Sequence, residues 1–175
     1  MTGAAGASVH ASAVQVGNRA VLIRGPSGAG KSRLAFELIL AGRAGQIPPS
    51  LLVGDDRVHL EARGAQLLVR PAPILAGLIE IYGLGIRRCE FAEEAVVGLV
   101  VDLAAPDAER LPSPEAFSTS IYGIKIPRIP INQGFAALPL IAAGLTTTNS
   151  DGFDTVSADC EKGISNHIRP TIAPE

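Results

Sequence analysis

Tryptophan is absent from these 175 residues, aromatic residues make up 4%, and cysteine occurs only twice, at Cys89 and Cys160. Each scarcity excludes something. So few rings argue against a platform on which nucleic-acid bases stack. Two cysteines without metal-ligand spacing exclude a disulfide scaffold or zinc module, and a reducing, cytoplasmic setting is the expectation. No apolar run is long enough to cross a bilayer, and Met1 to Ser12 lacks the basic start and apolar stretch of a secretory signal. Charge is sparse in both signs: 18% of residues are charged, against about 25% in an ordinary domain. With 15 basic and 17 acidic residues the net charge is -2, so bulk electrostatics favour neither nucleic acid nor an anionic membrane as partner.

What the chain does have is 47% hydrophobic residues, 19 glycines and 13 prolines. That composition builds one core with many turns and excludes wholesale disorder. Val14-Gln15-Val16, the pair Gly17-Asn18 and the apolar run Ala20 to Ile23 predict a hairpin. After the following glycine-rich stretch, Leu34, Leu38, Ala35 and Ile39 fall on one helical face, with Gly42 as the stop. Leu51 to Val53 predicts a short buried strand, His59 to Ala62 and Gln66 to Arg70 a pair turning at Arg63-Gly64, and Ile79 to Tyr82 an alternating strand. Ala95 to Leu103 predicts a further buried strand, Ile124 to Ile131 an edge strand carrying Pro127 and Pro130, and Ala136 to Leu145 a short helix. From Thr146 the composition turns polar, so residues 1–145 are expected to form the domain and 146–175 a loosely ordered tail. Many strands and few helices predict an α/β fold with a mixed sheet rather than regular β-α alternation.

Between the hairpin and the helix lies Gly25-Pro26-Ser27-Gly28-Ala29-Gly30-Lys31-Ser32, a full G-x-x-x-x-G-K-[ST] match with a strand before it and a helix after it. Glycines let the backbone curl so that its N–H groups face an anion, and the helix adds its positive end. Lys31 can reach the outer phosphates of ATP, and the Ser32 hydroxyl can ligate Mg²⁺. Two segments offer the second carboxylate such sites need: Asp55-Asp56 after Leu51 to Val53, and Asp102 after Leu99 to Val101. Spacing alone does not choose between them. The adjacent pair is the more informative, because near a metal one acid could orient bound water while the other accepts a proton from a hydroxyl. For Asp102 the favoured reading is a solvated strand end. Glu80 stands in an apolar strand beside Gly83-Leu84-Gly85, and His10 precedes the first hairpin. Neither carries a function by itself. His59, His167 and the two cysteines are assigned none.

Taken in order, His10, the loop Gly25 to Ser32, Val53-Gly54-Asp55-Asp56-Arg57-Val58 and Glu80-Ile81-Tyr82-Gly83-Leu84-Gly85-Ile86 resemble the catalytic domain of the HPr kinase/phosphorylase family. The last segment is similar to the family's E-x-R-G-L-G-I signature. The resemblance runs from about Val9 to Pro130, without a dependable match beyond Asn132, and is to the truncated form that lacks the N-terminal domain. It implies a P-loop core similar to that of phosphoenolpyruvate carboxykinase, and an enzyme using ATP and Mg²⁺ to phosphorylate a serine of the phosphocarrier HPr in the phosphotransferase system. By position it implies Asp56 as the base, with His10 assisting. Lys31 would neutralise the transferring phosphoryl group, and Arg110, in Glu109-Arg110-Leu111, resembles the family's later catalytic arginine. Ser32, Glu80 and Asp55 become the expected metal site, and a homo-hexamer is implied by family analogy.

Two departures stand out. Tyr82 replaces the signature's arginine, and Asn132-Gln133-Gly134 stands where the family has an arginine-rich R-P-G-R-N segment. Holding inorganic phosphate beside phosphoserine requires extra cationic donors, so weak or absent phosphorylase activity is expected. A P-loop small-molecule kinase and an ATP-binding regulatory module without transfer are the alternative expectations. The first lacks an arginine-rich lid in this sequence.

Overall fold

The computed structural model describes residues 7–147. Apart from Thr146 and Thr147, the expected tail lies outside the described residues. In chain order the strands are β1 (Ala7–Val9), β2 (Ser12–Val16), β3 (Arg19–Arg24), β4 (Ser50–Gly54), β5 (Val58–Arg63), β6 (Gln66–Pro71), β7 (Leu78–Ile81), β8 (Gly85–Arg88), β9 (Ala95–Leu103), β10 (Ser118–Ile121) and β11 (Ile124–Ile131), with helices α1 (Lys31–Arg43) and α2 (Ala137–Thr146). A nine-stranded sheet runs β1-β5-β6-β9-β3-β2-β4, with β11 on β9 and β10 on β11, while β7 and β8 form a separate hairpin. The main sheet is mixed, as the sequence predicts: β3 and β11 both run parallel to β9, and its other pairings are antiparallel.

Alternation places two cores on the two faces of this sheet. Val14, Ile23, Leu99 and Val101 face α1 and α2, meeting Leu38 and Ile141. Ala13, Leu22, Val97 and Val100 face the other way, toward Val58, Leu60 and Val69. On β9 the parity changes midway, because Ala20 pairs with Val97 but Val21 with Leu99. The extra residue is Gly98, where a Cβ would come within 2.8 Å of the Arg19 side chain. This irregularity lets Val97 serve one core and Leu99 the other.

Several expectations need correction. Gly42 does not stop α1; it lies inside the helix, where a Cβ would meet Ser50 at 2.7 Å. The left-handed residue after the helix is Gly45, with φ +72°. Strands β1, β8 and β10 were not anticipated, and all of β8 is exposed. Pro127 and Pro130 are tolerated because the first half of β11 pairs with β10 and the second half with β9. Asp102 is no solvated strand end: its side chain is 15% exposed and gripped by Arg24 and Arg128. No helix among the described residues is long and apolar enough to cross a membrane.

Candidate active site

The glycine loop leaves β3 beside the end of β9. A Cβ on Gly25 would lie 3.0 Å from both Cβ and the carbonyl oxygen of Leu103, so only glycine fits this approach. Gly28 and Gly30 take positive φ, +77° and +95°, and curl the chain into the start of α1. No side chain among the described residues caps that helix end, and its first turn holds no acid. Its N–H groups and dipole are thus free of internal anions. Lys31, only 6% exposed, donates from Nζ to the carbonyls of Gly25 at 3.0 Å and Pro26 at 3.1 Å. Burial pushes its ammonium below the ordinary lysine range, and the fields of Asp56 and Asp55 partly restore it. A buried ammonium, a curled backbone and an uncapped helix end fit the phosphates of a nucleotide.

The acids at the end of β4 point into different surroundings. Asp55, 3% exposed, accepts from the Ser12 hydroxyl at 2.6 Å on Oδ1 and from the Glu80 backbone N–H at 3.0 Å on Oδ2. It thereby joins β2, β4 and β7. Asp56 has φ +64°, and the Arg57 N–H donates to the Asp55 carbonyl at 2.7 Å across it. That closes a three-residue turn of the rarer, strained kind. The Asp56 side chain is 63% exposed and its Oδ1 lies 3.2 Å from Nε2 of His10, itself 46% exposed. Contacts and fields therefore join His10, Asp55, Asp56 and Lys31 as one corner.

Glu80 is exposed on β7, with its backbone fixed by Asp55. Ser32 is half-buried in the first turn of α1. Arg110 is exposed on the loop after β9, outside the contacts that join the corner. Among the described residues no group of three or more His, Cys, Asp or Glu could hold a metal. A Mg²⁺ that takes a hydroxyl, waters and phosphate oxygens needs no such group; the Ser32 hydroxyl beside the phosphate-loop lysine and the exposed Glu80 carboxylate are donors of the kind it takes, whereas both oxygens of Asp55 already accept from Ser12 and the Glu80 N–H. Sequence reasoning missed Ser12, whose link to Asp55 spans 43 positions. It also missed the cluster of Arg24, Asp102, Arg128 and Asp107, formed by residues 21 to 78 positions apart. No local spacing signals such contacts.

A strand feeding a curled glycine loop into a helix, with a mixed sheet behind it and an acid pair beside it, defines a protein of P-loop architecture. The family model described as HPr Serine kinase C-terminal domain matches residues 2–158, and the chain belongs to that family. The match extends past the segment from Val9 to Pro130 on both sides. The HPr kinase/phosphorylase of Lacticaseibacillus casei strain BL23 is 33% identical over 177 residues, covering 92% of this chain and 52% of the relative. That of Mycoplasma mycoides subsp. mycoides SC is 29% identical over 153 residues, covering 79% and 47%. The chain thus spans about half the length of these curated relatives. Among solved structures, the Hpr(Ser) kinase/phosphatase from Coxiella burnetii superposes with a TM-score of 0.62 at 28% identity, over 77% of this chain and 90% of that one.

Proposed function

We propose that this chain is an ATP- and Mg²⁺-dependent protein serine kinase whose substrate is an HPr-type phosphocarrier. The observation that carries the reading is Asp56, held in a strained turn against His10 within the field of the phosphate-loop lysine, and yet 63% exposed. A base so open suits a hydroxyl delivered on the surface of another protein. The hairpin that carries Glu80 supports the same reading. Its tip presents Tyr82, Leu84 and Ile86 at 102%, 62% and 70% exposure, and apolar groups gathered on a protruding edge mark interaction surfaces.

The serine hydroxyl gives its proton to Asp56 as its oxygen bonds to the γ-phosphorus and the bond to the leaving diphosphate breaks. His10 holds the Asp56 carboxylate in place, and Lys31 exchanges its loop carbonyls for phosphate oxygens. Asp55 holds the Glu80 strand at the site, and Arg110 neutralises charge on the transferring group. When bound through Ser32 and Glu80, with Asp55 beside them, Mg²⁺ supplies charge neutralisation and alignment of the phosphates. Positioning and electrostatics provide most of the rate. Weak reverse activity is supported by the engagement of the cations near the altered Asn132 segment: Arg128 is held by Asp102 and Asp107, and Arg24 by Asp102. Inorganic phosphate would have to compete with these carboxylates for them.

Incubating the chain with γ-labelled ATP, Mg²⁺ and purified HPr tests the proposal. Label on an HPr serine is expected, and Asp56→Asn should lower transfer by at least about 100-fold while leaving ATP affinity intact. Label appearing only on a metabolite would overturn the kinase reading, and full activity in Asp56→Asn would overturn Asp56 as its base.

A further inference from the structure

Four charged side chains that take no part in the proposed chemistry converge where β3, β9 and β11 meet the loop after β9. Arg24, the last residue of β3, donates from Nε and Nη2 to the two oxygens of Asp102, each at 2.7 Å. Arg128 of β11 donates from Nε to Asp102 at 2.5 Å. Its other edge grips Asp107 at 2.6 and 2.9 Å, and Nη1 also donates to the Ala116 carbonyl at 3.0 Å. The Arg128 side chain is 12% exposed, whereas Asp107 is 47% exposed.

The cluster ties the start of the phosphate loop to the segment that carries Arg110. Asp102 and Arg24 lie directly before Leu103 and Gly25, which touch. The chain leaves β9 through Ala104, held at φ +54°, and the Ala105 N–H donates to the Ile131 carbonyl at 2.9 Å. Asp107 is the next anchor along this loop, and Arg110 follows three residues later. That short separation places the Cα of Arg110 within about 11 Å of that of Asp107. An ordinary exposed ion pair stabilises a fold by at most about 1 kcal/mol, but a bidentate grip by a largely covered guanidinium fixes direction as well as distance.

We propose that Arg128 is a positioning residue for Arg110. By holding Asp102 with one edge and Asp107 with the other, it sets the Arg110 loop relative to the strand ends that feed the phosphate loop. The inference rests on the kinase reading, in which Arg110 acts on the transferring phosphoryl group.

A double-mutant cycle on the full chain tests it. Asp107 is exposed, so its replacement spares the core; Asp107→Asn is made alone and together with Arg110→Ala, with Asp107→Glu as the conservative control. Asp107→Asn should lower kcat for HPr phosphorylation by about 10- to 100-fold. The KM for ATP should stay near its original value. Asp107→Glu should retain most activity. With Arg110 already replaced, Asp107→Asn should cause no further fall, because the loop then has nothing to position. Amide exchange in residues 104–113 should rise in Asp107→Asn whichever residue stands at 110. An unchanged kcat in Asp107→Asn, or equal falls in both backgrounds, would overturn the inference while leaving the kinase reading intact. Full activity in Arg110→Ala would remove the role of Arg110 and the inference with it, and failure of the unaltered chain to label HPr would remove the kinase reading itself.

Discussion

Between Gly54 and Arg57 the chain turns so tightly that two adjacent acids acquire opposite surroundings. Asp55 sits beneath a hydroxyl and a backbone N–H, and Asp56 stands in solvent beside His10. Asp55→Asn could keep its oxygen on the Glu80 N–H only by donating its N–H₂ to Ser12 Oγ, whose own proton then loses a buried carboxylate acceptor, so it should destabilise the fold by about 1–3 kcal/mol in urea unfolding. Asp56→Gly removes the Cβ from a left-handed position, and should raise stability by about 0.5–1 kcal/mol while abolishing transfer. Equal stability losses in the two variants would contradict this division of labour. The acid pair was legible because both members follow one apolar strand. Glu80 and His10 were singled out beside it, but Ser12 was not, nor the bond from the Glu80 N–H, since these contacts lie 43 and 25 positions from Asp55 and hydrogen bonds across strands leave no spacing pattern.

Burial explains part of what the sequence announced among the elements. Strand β9 matches its expected bounds, because six of its nine residues are buried. Strand β8 is exposed throughout, and β1 has only three residues. Without burial, nothing selects an alternation of residue types. Gly42 shows a different ambiguity, for a glycine near a helix end serves either a left-handed turn or a close approach. Here it is the approach of α1 to β4 that demands it. A glycine-to-alanine change inside a helix ordinarily stabilises by about 1 kcal/mol. Gly42→Ala should instead destabilise by roughly 1–3 kcal/mol, since the added methyl meets the backbone of Ser50. Thermal unfolding checks the sign, and a rise in midpoint would refute it.

At the scale of the molecule, the mixed sheet was foreseeable from the ratio of strands to helices, but its order was not. The pairing of β9 with β3, β6 and β11 joins segments far apart in the chain, and only packing decides it. Strands β2, β3 and β9 supply both cores, so the cores should unfold together. Leu22→Ala on one face and Leu38→Ala on the other should each cost about 2–5 kcal/mol. Both should shift a single urea transition without altering its slope, and separate transitions would show that the faces are independent units. Gly98 has a consequence for the lineage of this sequence. It acts as a phase shifter, so loss of that one codon would leave the reading frame intact and yet turn half a central strand inside out. Natural relatives that keep the architecture are therefore expected to gain or lose length in their surface loops, and to preserve residue count through the middle of this strand.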